Sequence, residues 1–168
     1  MLYKKASKRL ITFNGLKVAV LGLTFKPGTD DLREAASLEN VPLLLEQGAD
    51  IYAYDPVGAF NFAKVYPEGK NGKGSITYAN NAEEALEGAN VCFIFTEWGE
   101  IKAVVPETYK KLMRTPLVYD GRNIYKVKDM EKAGVEYHSI GRRPASREGE
   151  TQGRFLCFFF LKYLSNKN

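Results

Sequence analysis

The sequence predicts an α/β fold, a three-layer α/β/α sandwich around a mostly parallel sheet of about six strands. Three observations predict it. Strand-like apolar runs and helix-like amphipathic stretches alternate along most of the chain. The central runs, Val18–Leu23 and the one inside Asn90–Phe95, are continuously apolar instead of alternating with polar residues, as strands covered on both faces are. Turn residues punctuate the pattern: Gly48 and Gly88 stand where helices stop, and Asp55-Pro56 and Asp120-Gly121 where strands stop.

Leu2, Tyr3, Ala6, Leu10 and Phe13 have the spacing of a short amphipathic helix over Leu2–Phe13, and Asn14-Gly15 turns the chain into the first strand, Val18–Leu23. A polar loop, Thr24–Arg33, leads to a helix over Ala35–Gln47 whose apolar face carries Leu38, Val41, Leu44 and Leu45 and which Gly48 caps. Pro42 is tolerated there only in the first turns or at a kink. The strand Asp50–Tyr54 follows and completes a βαβ unit. Val57–Tyr66 reads as a short helix, Pro67–Gly74 as a flexible surface loop and Ser75–Tyr78 as a short strand. Asn81–Gly88 is a helix with Glu83 and Glu84 near its positive end, before the strand Asn90–Phe95 and the turn Thr96-Glu97-Trp98. Pro106–Met113 is a helix opened by proline, Pro116–Tyr119 a strand, Val127–Ala133 a helix and Val135–Ile140 the last strand. Gly141–Gly153 has a linker's composition, and Arg154–Leu164 gathers nine apolar side chains into one block, too short to span a bilayer.

With 168 residues, 45% of them hydrophobic and 26% charged, the chain has the length and composition of one globular domain. A net charge of +4, with Lys and Arg interspersed among acids, does not call for nucleic acid. Cys92 and Cys157 lie inside apolar runs and read as buried hydrophobes, with no disulfide framework and no metal-ligand spacing. The N-terminus lacks the apolar core of a signal peptide and no stretch suits a membrane helix, so the expected compartment is the reducing cytoplasm.

Ligands bind open α/β sheets beyond the carboxyl ends of the strands, so the loop Thr24–Arg33 is the first place to look for function. Its cations, Lys26 and Arg33, suit a phosphate or diphosphate; the same spacing lets either pair with Asp30, Asp31 or Glu34. Arg122, past another strand end, has the planar fork that recognises phosphate or uracil oxygens, and equally the spacing to pair with Asp120. Trp98 after a buried strand suits packing or an interface, or stacking on a base. Asp55 stands where a dinucleotide fold keeps its ribose-binding acid, yet the first loop reads GLTFKPG and lacks GxGxxG, so Asp55 reads as a turn residue before Pro56. His138 has no partner of triad or metal spacing and reads as structural.

The stretch GLTFKPGTDDLREA within Lys17–Ser37 resembles the signature that opens the C-terminal domain of the UDP-glucose and GDP-mannose dehydrogenases, which oxidise a nucleotide sugar to a uronic acid. Thr96–Trp98 (TEW) and Tyr119–Asn123 (YDGRN) are similar to the same family, and to its UDP-glucose branch in particular. The resemblance runs in register from Lys17 to Arg142 and does not reach the final residues. It implies a Rossmann-like, UDP-sugar-binding domain over 15–143, preceded by the remnant of an inter-domain helix or linker over 1–14 and followed by a tail, 144–168, outside the resemblance.

By that resemblance Phe25, Lys26 and Arg122 bind the nucleotide sugar, UDP-glucose or a related UDP-sugar, and Arg33 reaches towards NAD held by the partner domain. It also implies a homo-oligomer and a reaction with two molecules of NAD: alcohol to aldehyde, capture on a cysteine as a thiohemiacetal, oxidation to a thioester, then hydrolysis. The N-terminal NAD-binding domain and the nucleophilic cysteine that it needs are expected outside these 168 residues, so no catalytic residue is assigned here. The function that follows is the substrate-binding domain of a UDP-glucose 6-dehydrogenase, inactive by itself. Two alternatives are a domain of another nucleotide-sugar dehydrogenase, acting on UDP-N-acetylmannosamine or GDP-mannose, and a non-catalytic binding or assembly module with Phe155–Leu164 as its partner surface.

Overall fold

The computed structural model describes residues 2–10 and 12–145. In chain order the elements are α1 (Leu2–Ala6), β1 (Lys17–Leu21), α2 (Ala36–Glu46), β2 (Asp50–Tyr54), α3 (Ala59–Val65), β3 (Gly69–Asn71), β4 (Gly74–Tyr78), α4 (Ala82–Leu86), β5 (Val91–Ile94), α5 (Gly99–Lys102), α6 (Pro106–Leu112), β6 (Leu117–Asp120), α7 (Val127–Lys132) and β7 (Glu136–Ser139). The strands form one sheet in the order β3-β4-β2-β1-β5-β6-β7. Every pairing in it is parallel except that of β3 with β4.

Period-two packing explains why the central strands read as unbroken apolar runs. Val18 and Val20 of β1, Phe93 of β5 and Tyr119 of β6 point into one core, where they meet Leu2 and Ala6 of α1, Val41 and Leu44 of α2 and Phe62 of α3. Ala19 and Leu21, Cys92 and Ile94, and Val118 point the other way, onto Ala85 and Leu86 of α4, Ile101 of α5, Tyr109 of α6 and Met130 of α7. With both faces covered, Val18–Leu21 of β1 and Val91–Ile94 of β5 leave no position for a polar residue. Local signals hold at the helix ends too: Asn81 accepts from the Glu84 amide at 2.8 Å while the Glu84 carboxylate accepts from the Asn80 amide at 2.8 Å, a reciprocal cap for α4.

The sequence reading needs four corrections. Gly69–Asn71, expected to be loop, pairs antiparallel with β4 and brings the sheet of about six strands to seven among the described residues. This hairpin rests on backbone hydrogen bonds at a sheet edge, so it needs no apolar alternation and left none in the sequence. The N-terminal helix stops at Ala6 instead of Phe13, and Phe13 is buried beside it, its ring tilted against that of Tyr3. A short helix, α5, follows Trp98 where none was expected. The start of the expected linker is docked, since Ala145 is fully buried and bridges Tyr137 of β7. The apolar block Arg154–Leu164 lies outside the described residues. Pro42 stands inside α2, beyond the first turn, and the helix continues through it.

At the far edge α1 and its following turn are tied to β7. Lys5 donates to the Ser139 carbonyl at 2.8 Å, and Arg9 Nε lies 3.1 Å from Glu136 Oε1. His138 Nε2 lies 3.0 Å from the same oxygen, with its ring stacked on Tyr119. Burial raises the Glu136 pKa, but the hydrogen bonds from His138 and Arg9 outweigh it and hold the carboxyl down at about 2. An acid depressed in this way stabilises the fold above its unfolded value near 4.5, and the stabilisation is lost as pH falls through about 2. Glu136→Gln should therefore lower stability by about 1–3 kcal/mol at pH 6, and the difference from the parent should shrink between pH 4.5 and pH 2 in thermal melts. A difference that stayed constant down to pH 2 would show that the ion pair contributes nothing.

Candidate functional site

The central strand β1 has β2 on one side and β5 on the other, so the chain reverses its direction of travel across the sheet at the carboxyl ends of these strands. Four loops meet there, following β1, β2, β5 and β6. Gly22 permits their closest approach. It has φ +85°, and a Cβ built on it would lie 2.5 Å from Thr96 Cβ and 2.6 Å from the Thr96 amide nitrogen. Thr96 uses its hydroxyl to donate to the Thr24 carbonyl.

Two buried aspartates knit the loops. Asp55, at the end of β2, accepts on Oδ2 from the amides of Leu23 (2.7 Å) and Thr24 (3.1 Å), the Thr24 hydroxyl (3.1 Å) and Trp98 Nε1 (3.0 Å). Its Oδ1 accepts from the amides of Val57 (3.0 Å) and Gly58 (2.6 Å). Asp120, at the end of β6, accepts from the amides of Arg122, Asn123 and Ile124 and from the Tyr137 hydroxyl at 2.6 Å. Neither carboxylate faces solvent. Each fixes a loop by taking amides that no strand or helix satisfies.

On this frame stand the cations. Arg122 Nε lies 2.7 Å from Glu97 Oε2, and its Nη2 donates to the Phe25 carbonyl, ninety-seven residues away in the chain. Phe25 and Lys26 are exposed on the same loop, and the Lys26 ammonium makes no hydrogen bond or ion pair among the described residues. The structure thus brings Phe25, Lys26 and Arg122 together at one edge.

Arg33 stands at the other end of the loop in an exposed fork with Asp31 (2.8 Å from Nη2 to Oδ2), whose backbone carbonyl accepts from the Phe25 amide at 2.9 Å. The hydrogen bonds from Arg33 hold the Asp31 carboxyl at about 2. Beside this pair an open groove of about 570 Å³ runs between the loop and α3, lined by Asp30, Asp31, Arg33, Asn61 and Lys64.

Several sequence-level alternatives are now decided. Arg122 does not pair with Asp120, whose oxygens are taken by backbone amides and Tyr137; its acid is Glu97. Trp98 spends its Nε1–H on Thr24 and Asp55 with its ring buried, so it anchors the loops and is not free to stack on a ligand. Asp55 is more than a turn residue, and the sequence reading missed its role, along with those of Thr24 and Thr96. The available signal was the string Asp-Pro-x-Gly at a strand end, where an aspartate accepts from amides two and three residues on. Because those amides fill its oxygens, Asp55 cannot also bind a ribose. Among the described residues no cluster of His, Cys, Asp and Glu could hold a metal ion, and no helix is long and apolar enough to cross a membrane.

The UDP binding domain of the UDP-glucose/GDP-mannose dehydrogenase family matches residues 19–127. The UDP-glucose 6-dehydrogenase YwqF of Bacillus subtilis is 40% identical over 152 residues, 90% of this chain and 33% of its own. A UDP-glucose 6-dehydrogenase of Rhizobium meliloti is 42% identical over 76% of this chain and 28% of its own. Among solved structures, the UDP-glucose dehydrogenase of Pyrobaculum islandicum superposes with a TM-score of 0.64 at 31% identity, covering 82% of this chain and 28% of that one. The UDP-D-ManNAc dehydrogenase of Pyrococcus horikoshii does so with a TM-score of 0.60 at 30% identity, covering 84% and 28%. The chain spans about a third of the length of the curated relatives it matches.

Proposed function

The chain belongs to the UDP-glucose/GDP-mannose dehydrogenase family, as its C-terminal, UDP-binding domain, and from that premise we propose that it holds a UDP-sugar, UDP-glucose first, for an NAD-dependent oxidation completed by other parts of a longer enzyme. One contact carries the reading: the Arg122 guanidinium on the Phe25 carbonyl, which joins the loops after β1 and β6 and sets Lys26 beside them. The Lys26 ammonium and the unspent end of the Arg122 fork take the diphosphate. Phe25, 44% exposed, packs against the base or sugar. Arg33, its side chain 89% exposed on the outer side of the loop, faces NAD held by the partner domain, within a homo-oligomer in the cytoplasm.

NAD accepts hydride when bound, but the described residues do not make a dinucleotide site: the loop after β1 lacks the glycine pattern, and Asp55 is filled by amides. Nor does Cys92 fit a nucleophile, being fully buried with its thiol pushed well above its ordinary value by burial. The domain's share of catalysis is positioning, fixing the nucleotide so that the sugar reaches chemistry supplied elsewhere.

Calorimetric titration of the chain with UDP tests this. Binding should weaken about tenfold or more with Lys26→Ala and with Arg122→Ala, the loss of one charge-assisted contact in each case. GDP should bind more weakly than UDP, and a panel of UDP-glucose, UDP-N-acetylmannosamine and GDP-mannose then ranks the sugars. Absence of UDP binding at millimolar concentration, with the fold intact by circular dichroism, would reject the site.

A further inference from the structure

The geometry points to Glu97 as a positioning residue for Arg122, an inference that rests on the nucleotide-site reading above. A guanidinium carries five N–H donors in a rigid plane. Arg122 uses one edge of that plane internally: Nε is ion-paired with Glu97 Oε2 at 2.7 Å without a hydrogen bond between them, and Nη2 donates to the Phe25 carbonyl. Its other edge, Nη1 and the second Nη2 hydrogen, makes no hydrogen bond among the described residues. That edge is the bidentate fork that an anionic phosphate or a carbonyl takes.

The residues on either side of Glu97 are tied down. Thr96 before it bonds the Thr24 carbonyl, and Trp98 after it bonds Thr24 and Asp55. Glu97 Oε2 is shielded from solvent, so Arg122 is its compensation, and a buried carboxylate oxygen without such a neighbour is costly. Each partner therefore holds the other in one orientation. The rotamer freedom that an arginine ordinarily loses on binding a ligand has been lost in folding.

The same carboxylate repels an anionic ligand, and the two effects differ in their response to salt. Repulsion fades as the screening length falls from about 10 Å at 0.1 M to about 3 Å at 1 M, whereas the contact pair that orients the guanidinium, 2.7 Å apart with its carboxylate oxygen shielded from solvent, is screened much less. Glu97→Gln should therefore weaken UDP binding by about 3- to 10-fold at 1 M salt, and by less at 0.1 M, where relief of repulsion offsets part of the loss. Once Arg122 is gone, nothing remains to be positioned. In an Arg122→Ala background the same substitution should leave UDP affinity unchanged or tighten it.

The test titrates UDP into the parent chain, Glu97→Gln, Arg122→Ala and the double variant at both salt concentrations, and records the nitrogen-15 order parameter of Arg122 Nε in the free chains by NMR. Arg122 Nε is expected to be ordered in the parent and more mobile in Glu97→Gln. Tighter UDP binding by Glu97→Gln at 1 M salt, or equal weakening in both Arg122 backgrounds, overturns the inference. If the parent binds UDP but its Arg122 Nε is as mobile as in Glu97→Gln, the inference fails and the nucleotide site stands. If the parent does not bind UDP, the nucleotide-site reading fails and the inference goes with it, even with Arg122 Nε ordered.

Discussion

Asp55→Ala should destabilise the domain by about 3–5 kcal/mol, the range for removing one partner of a buried, hydrogen-bonded charge. The carboxylate accepts from four backbone amides, one hydroxyl and the Trp98 indole. Alanine would strip all of these acceptors at once and leave the amides of Leu23, Thr24 and Gly58 without partners in a site closed to water. Asn preserves the shape and one carbonyl acceptor, but its NH₂ must face donors, so Asp55→Asn should lose somewhat less, about 2–3 kcal/mol. Urea unfolding of the three proteins is the measurement; a loss below 1 kcal/mol for Asp55→Ala would mean that solvent satisfies these amides and that the aspartate does not frame the site. UDP affinity should fall with stability, because the loop that carries Phe25 and Lys26 hangs from the Leu23 and Thr24 amides.

Gly22→Ala is expected to cost about 2–5 kcal/mol, and its cause can be separated into two parts. At φ +85° an L-residue pays about 1–2 kcal/mol for the left-handed backbone. The remainder comes from overlap, since the new Cβ would sit 2.5 Å from Thr96 Cβ and 2.8 Å from Thr96 Cα, where the strand backbones cannot part without breaking the Phe95-to-Leu21 hydrogen bond. Gly28→Ala is the control. It has nearly the same φ, +80°, and nothing within 4 Å of the built Cβ, so only the backbone cost applies. If both substitutions lowered the unfolding midpoint equally, close packing of the β1 and β5 loops would contribute nothing to the site.

Much of the fold was legible because its causes are local or repetitive. Burial on both faces makes β1 and β5 continuous apolar runs, and the glycines at 48 and 88, each with positive φ, stop helices wherever they stand. The hairpin strand β3 was not legible, because pairing through Gly69, Lys70 and Asn71 depends on finding β4 beside it and on no property of those side chains. Gly74 shows the same dependence: a Cβ there would lie 2.3 Å from the Ala49 carbonyl, a neighbour supplied only by the folded sheet.

The candidate site divides along the same line. Strand-end loops rich in Lys, Arg, Asp and Gly could be found by inspection, as could the motif residues Phe25, Lys26, Arg33 and Arg122. Their pairing could not. Arg122 had Asp120 two residues away and chose Glu97, because the backbone turn had already turned the Asp120 oxygens onto amides. Asp55 looked like a turn residue because four of its six bonds come from Leu23, Thr24 and Trp98, remote in sequence and adjacent only because β1 lies between β2 and β5. Sequence by itself determined the layers, the helix ends and the kinds of charge at the ligand edge, since these follow from side-chain hydrophobicity and short-range backbone preferences. Tertiary structure alone decided which donor met which acceptor, since that depends on the strand order that brings distant loops within hydrogen-bonding distance.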